Sequence, residues 1–105
     1  GFSQGGMMSL HCGLRMPARP AAIVSFSGAL LSADGIGLAD GRPAVMLAHG
    51  TDDQVVPYAM MQAASQAMAA HGIEAQTLTR PGLAHGIDPD ALSGAIDFLA
   101  GHLPA

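Results

Sequence analysis

A chain of 105 residues, half of them hydrophobic and only 11% charged, carries enough apolar material for one packed core and is too apolar for a disordered segment. Its net charge is -4 at pH 7, and its four basic residues, Arg15, Arg19, Arg42 and Arg80, are scattered, which argues against nucleic acid as a partner. No apolar run approaches the roughly 20 residues that span a bilayer, and the single cysteine, Cys12, cannot form an internal disulfide.

The first residues, Gly1, Phe2, Ser3, Gln4 and Gly5, read as GxSxG, the pattern of a serine pinched into a sharp turn between a strand and a helix. A serine held at positive φ crowds the residues two before and two after it, so Gly1 and Gly5 are expected to omit side chains that would collide. The same turn sets the Gln4 N–H at the amino end of a helix, where it can donate to a developing oxyanion. An elbow needs a strand before it, so residues 1–105 are expected to form part of a domain, beginning at the elbow.

From Gly5 the spacing of Met7, Leu10 and Leu14 predicts a helix, with Met8 and Cys12 widening its apolar face and Pro17 and Pro20 ending it. Cys12 is then expected to be a small buried apolar residue, and Met7 and Met8 to be core packing sooner than the border of an acyl pocket. Ile23, Val24 and Phe26 predict a strand over 21–27. Residues 28–42 read as a long loop whose Leu30, Leu31, Ile36 and Leu38 need cover. The unbroken apolar run 44–48 suits a parallel strand covered on both faces and ending at His49 and Gly50. A polar turn, Thr51 to Gln54, leads to Pro57 as the first residue of a helix whose inner stripe is Met60, Met61, Ala64 and Met68 and which Gly72 closes after His71. A more polar strand over 74–79 suits a place near a sheet edge, and residues 80–87 form a loop holding His85. Asp88 and Pro89 start a last helix with Leu92, Ile96, Leu99 and Leu103 as its inner face.

Strands alternating with helices imply an α/β fold with a parallel sheet, whose reactive loops gather at the carboxyl ends of the strands. Ser3, the Asp52–Asp53 turn and His85 all fall in such loops. A serine hydroxyl attacks a carbonyl only when an imidazole takes its proton, and the imidazole needs a carboxylate to fix its tautomer. Ser3, Asp53 and His85 fill those roles in the chain order used by α/β-hydrolases, with Asp52 the rival acid. The remaining histidines lack partners at metal-ligand spacing: His11 lies within a helix, His71 and His102 near helix ends, and His49 is expected to hold the Asp53 turn by hydrogen bonds.

GFSQGG at 1–6, SFSGALL at 25–31, HGTDDQVVP at 49–57 and GLAHGI at 82–87 together resemble the phospholipase/carboxylesterase family of α/β-hydrolases, which includes acyl-protein thioesterases, in collinear order across the whole chain. The resemblance implies a triad of Ser3, Asp53 and His85, and it selects Asp53 over Asp52. It also implies a serine hydrolase acting on carboxylic esters, thioesters or lysophospholipids with no metal or organic cofactor. The family carries five further strands and a loop donating a second oxyanion hydrogen bond, so the resemblance implies the carboxy-terminal part of the fold. The isolated polypeptide is then expected to be inactive and poorly soluble, with the apolar edge near Ile23 to Phe26 exposed. Two other readings compete. A dienelactone-hydrolase relative would carry cysteine where Ser3 stands, and a hydrolase-fold protein that binds a ligand or partner without turnover would usually lack a triad member. A cytoplasmic location is the expectation.

Overall fold

A computed structural model describes residues 1–15, 20–32 and 43–103 of the chain. The described residues form α1 (Gln4–Gly13), β1 (Ala22–Phe26), β2 (Ala44–Gly50), α2 (Ala59–Ala70), β3 (Ala75–Arg80) and α3 (Pro89–His102), in that order. The strands make one parallel sheet in the order β1-β2-β3, with Ala22 opposite Ala44 and Val45 opposite Ala75. This is the α/β architecture expected from the alternation of elements.

Every residue of β2 from Val45 to Gly50 is buried, because helices cover both faces of the central strand. On one face α1 and α2 supply Leu10, Leu14, Met61, Ala64 and Met68 against Ile23, Val45 and Leu47. On the other, α3 lays Ala91, Ala95 and Phe98 against Met46 and Ala48. The sheet is thus the middle of three layers, and its carboxyl ends lie together where the loops after β1, β2 and β3 meet.

Several local expectations are corrected. β2 continues through His49 and Gly50, since packing on both sides carries the ladder past the apolar run. Pro57 precedes α2, which begins two residues later after a turn. In α1 the buried stripe is Gly6, Leu10, Gly13 and then Leu14, so Cys12 is exposed and Met8 turns outward. Met60 is also largely exposed, leaving Met61, Ala64 and Met68 as the inner stripe of α2.

The inner face of α3 is shifted one residue from the expected stripe. Ala91, Ala95 and Phe98 are buried, whereas Leu92, Ile96 and Leu103 stay at least half exposed and Leu99 is half-buried. The helix runs close to the sheet where small Ala91 and Ala95 face it, since a Cβ on Gly94 would come within 2.9 Å of Leu78, and the larger Phe98 packs against the same face further along. Asp88 caps α3 as expected, accepting a hydrogen bond from the Ala91 N–H, with Pro89 in the first turn. Leu30 packs against the core and Leu31 is exposed; Pro17, Ile36 and Leu38 lie outside the described residues.

Candidate active site

Ser3 stands between the end of a short bridge and the start of α1. Its φ of 55° is in the left-handed region that L-residues seldom adopt. The backbone around it continues the parallel ladder beside β1: the Phe26 N–H donates to the Gly1 carbonyl (2.9 Å) and the Ser3 N–H to the Phe26 carbonyl (2.8 Å). Those bonds fix the turn against the sheet and hold a costly backbone conformation in place.

The glycine requirement differs in part from the expectation. A Cβ on Gly1 would lie 2.4 Å from the Gly5 carbonyl carbon, but a Cβ on Gly5 would meet nothing within 4 Å. The second crowded position is Gly6, where a Cβ would lie 2.5 Å from the Ser25 hydroxyl oxygen, because α1 passes close over β1. Gln4, as the first residue of α1, has its N–H at the open amino end of the helix.

Asp53 follows β2 in a tight turn and is buried, with its Oδ1 accepting from the Val55 N–H (2.9 Å) and the Val56 N–H (2.8 Å). His85 lies in the loop after β3. Its Nδ1 is 2.7 Å from Asp53 Oδ2 and its Nε2 is 2.8 Å from Ser3 Oγ. Residues 82 positions apart in sequence are thereby joined in one line of hydrogen bonds, Ser3 to His85 to Asp53. Asp52 is exposed and accepts instead from the Thr51 hydroxyl at 3.1 Å. The geometry therefore brings Ser3, Asp53 and His85 together and leaves Asp52 outside.

Burial by itself would push the Asp53 carboxyl up. The hydrogen bond from His85 and those from the Val56 and Val55 N–H groups outweigh it and hold the group below the usual carboxylate value. Asp53 is therefore an anion at neutral pH, and with its proton acceptor pointed at Nδ1 it selects the His85 tautomer whose Nε2 is free to accept from Ser3 Oγ.

Two further aromatic groups touch this line. The Phe2 ring packs 4.9 Å from the His85 ring, centroid to centroid, and His49 lies beneath Asp53 with its Nε2 2.7 Å from the Val56 carbonyl. Phe2 carried no signal in the sequence beyond its place in GFSQGG. An apolar cavity of about 330 Å³ is lined by Met7 of α1, Leu30 and Leu31 after β1, and Val55, Val56 and Pro57 just after Asp53. Met7 thus borders a cavity instead of filling the core. Among the described residues no group of three His, Cys, Asp or Glu is arranged to hold a metal ion, and no helix is long and apolar enough to cross a membrane.

Residues 1–103 match the profile of the phospholipase/carboxylesterase family. Acyl-protein thioesterase 1 of Schizosaccharomyces pombe is 34% identical over 104 residues, covering 93% of this chain and 46% of the relative. The protein of the same name from Gibberella zeae is 33% identical over 110 residues, covering 99% and 47%. The chain spans about half the length of the curated relatives it matches. Among solved structures, esterase PE8 is 38% identical with a TM-score of 0.88, covering 98% of this chain and 48% of that one. Zea mays acyl-protein thioesterase 2 shares the fold at a TM-score of 0.82 and 22% identity, covering 99% of this chain and 55% of its own. Sequence profile, relatives and fold agree, and the chain belongs to the phospholipase/carboxylesterase family of α/β-hydrolases.

Proposed function

We propose that the protein containing this chain is a serine hydrolase that cleaves carboxylic esters or thioesters through an acyl-enzyme. One observation carries the reading: the unbroken line of hydrogen bonds from Ser3 Oγ to His85 Nε2 at 2.8 Å and from His85 Nδ1 to Asp53 Oδ2 at 2.7 Å. Those separations are within the reach that proton transfer from a nucleophile to its base requires.

In this reading Ser3 Oγ attacks the carbonyl carbon of the substrate while His85 Nε2 takes its proton. The tetrahedral oxyanion accepts a hydrogen bond from the Gln4 N–H at the head of α1. His85 then gives the proton to the departing alcohol or thiol, leaving the acyl group on Ser3. Water enters, loses a proton to His85 Nε2, and attacks the acyl carbon; collapse releases the carboxylic acid and returns the proton to Ser3. Asp53 remains ionised throughout, orienting His85 and stabilising its cationic form.

The apolar cavity beginning at Met7 suits the hydrocarbon of an acyl chain, and the acyl-protein thioesterase relatives support including acyl thioesters in the substrate class. Residues 1–105 would supply the nucleophile, acid and base of the domain and one main-chain oxyanion donor. Hydrolysis of a series of p-nitrophenyl esters by the full-length protein tests the proposal. Turnover in the wild type that disappears in Ser3→Ala is the expected result. A folded wild type that binds esters without cleaving them would instead favour a hydrolase-fold binding protein.

A further inference from the structure

His49 is the last side chain before the Gly50–Asp53 turn, 2% exposed, and it belongs to neither hydrophobic cluster. Burying an imidazole is costly unless its nitrogens find partners. Its Nε2 lies 2.7 Å from the Val56 carbonyl and 3.3 Å from Asp53 Oδ2. Both of those atoms are acceptors, so Nε2 carries the proton and is shared between them. Asp53 Oδ2 consequently faces two imidazoles, His85 at 2.7 Å and His49 at 3.3 Å, while Oδ1 takes the two backbone N–H groups.

The arrangement closes on itself. Val56 donates its N–H to Asp53 Oδ1 and offers its carbonyl to His49, so one peptide segment and one imidazole hold the carboxylate from opposite sides. The titratable groups meeting His49 are Asp53 and, edge-on at 6.1 Å between ring centroids, Tyr58; the cavity beside it is lined by the neutral Leu10 and Ser25 and by Met61 and Ala64 of α2. Among the described residues no other charged group is paired with His49.

We propose that His49 is a positioning residue for the relay: its Nε2–H sets which carboxylate oxygen of Asp53 faces His85 and draws part of the charge on that oxygen away from His85. The inference rests on the esterase reading for its kinetic consequences, but its structural half stands without it. A donor shared with Oδ2 leaves less negative charge to stabilise the His85 cation. Removing that donor leaves Oδ2 a stronger acceptor for the His85 Nδ1–H, so the His85–Asp53 hydrogen bond and the placement of His85 against Ser3 change with it.

The test compares His49→Gln, whose terminal amide can stand near the place of Nε2, with His49→Phe, which keeps a ring and removes the donor, both in the full-length protein. His49→Phe is expected to lose roughly 10- to 100-fold in kcat with KM within about threefold, the scale of a displaced catalytic group. His49→Gln should keep kcat and KM near the wild type. Should His49→Phe fail to fold, His49→Asn, whose shorter amide stands nearer Nδ1, takes its place with the same expectation. The downfield proton resonance of the His85–Asp53 hydrogen bond, read by NMR, should move in the donor-free variant and hold in His49→Gln. That readout needs no turnover, so an inactive wild type would sink the esterase reading and leave this one open to judgement. Folded His49→Phe with wild-type kinetics and an unmoved resonance, or His49→Gln behaving like His49→Phe, would overturn the proposal.

Discussion

On the β2–β3 side of the site, the turn carrying Asp53 and the loop carrying His85 are laced directly to each other. The Thr51 N–H donates to the Arg80 carbonyl (3.1 Å), the Gly82 N–H to the Thr51 hydroxyl (2.8 Å) and the Asp52 N–H to the Leu83 carbonyl (3.0 Å). Arg80 then closes the loop from its other end, with its guanidinium on Asp88 at 2.9 Å and Asp90 at 2.8 Å. On the β1 side, Ser3 depends on the short backbone bridge between Gly1–Ser3 and Phe26, next to the edge of the three-stranded sheet. Asp53 and His85, the acid and base of the proposed mechanism, are therefore prearranged by contacts among neighbouring loops, whereas Ser3, its proposed nucleophile, is placed by the pairing of a strand end. A relay built this way is most easily broken at its serine.

The comparison is broken most completely by removing the reacting groups. Ser3→Ala or His85→Ala is expected to lower kcat by on the order of 10⁶, and the double variant by little more, because the two act as one unit. Asp53→Asn should cost about 10⁴, since it leaves Ser3 and His85 in reach of each other but favours the wrong tautomer. Steady-state kinetics on a chromogenic ester measures all of these in one assay.

Next come the glycines that permit close approach. A Cβ on Gly50 would lie 2.0 Å from the Leu83 carbonyl oxygen, so Gly50→Ala forces the Asp53 turn away from the His85 loop. A loss of about 100-fold in kcat and of roughly 1–3 kcal/mol in stability is expected by kinetics and denaturant unfolding. Gly5→Ala, on the nucleophile side, should change stability by no more than about 0.5 kcal/mol, because the added methyl meets nothing within 4 Å.

A smaller effect is expected from the clamp. Arg80→Ala frees one end of the His85 loop and should lower the melting temperature slightly, with a severalfold fall in kcat. Asp88→Ser keeps an N-cap for α3 while breaking the ion pair, so it should reproduce the kinetic part with less effect on the melt. Asp53 and Asp88 are both held below the usual carboxylate value in the folded chain. For such groups the stabilisation is present above the unfolded value of about 4 and is lost as pH falls through the lower folded value. Thermal melts from pH 6 downward should show that loss, with a shallower acid limb in Asp53→Asn.

These features were unequally visible in the sequence. The central strand announced itself as an apolar run, and GFSQGG, the HGTDDQVVP turn and GLAHGI marked the three loops whose side chains now meet. Choosing Asp53 over Asp52 needed family resemblance, because the choice depends on the turn: Val55 and Val56 wrap their N–H groups around one carboxylate and leave the other in solvent. The inner face of α3 lies one residue from the periodic large apolar residues, because the helix passes close to the sheet at Gly94 and turns Ala91, Ala95 and Phe98 toward it. Cys12 and Met8 were misread for a similar reason, as hydrophobicity reports what a residue tolerates and packing distance decides what fits. The contact of Phe2 with His85 had no trace in spacing or composition, since it arises only after residues far apart in the chain are brought together.

The proton relay from Ser3 through His85 to Asp53 is tested most directly by reacting the folded full-length protein with a fluorophosphonate and mapping the adduct by mass spectrometry. A single adduct on Ser3, formed far more slowly in His85→Ala and Asp53→Asn, is the expected result. An unlabelled wild type, an adduct on another residue, or a Ser3 adduct formed equally fast without the imidazole would contradict it.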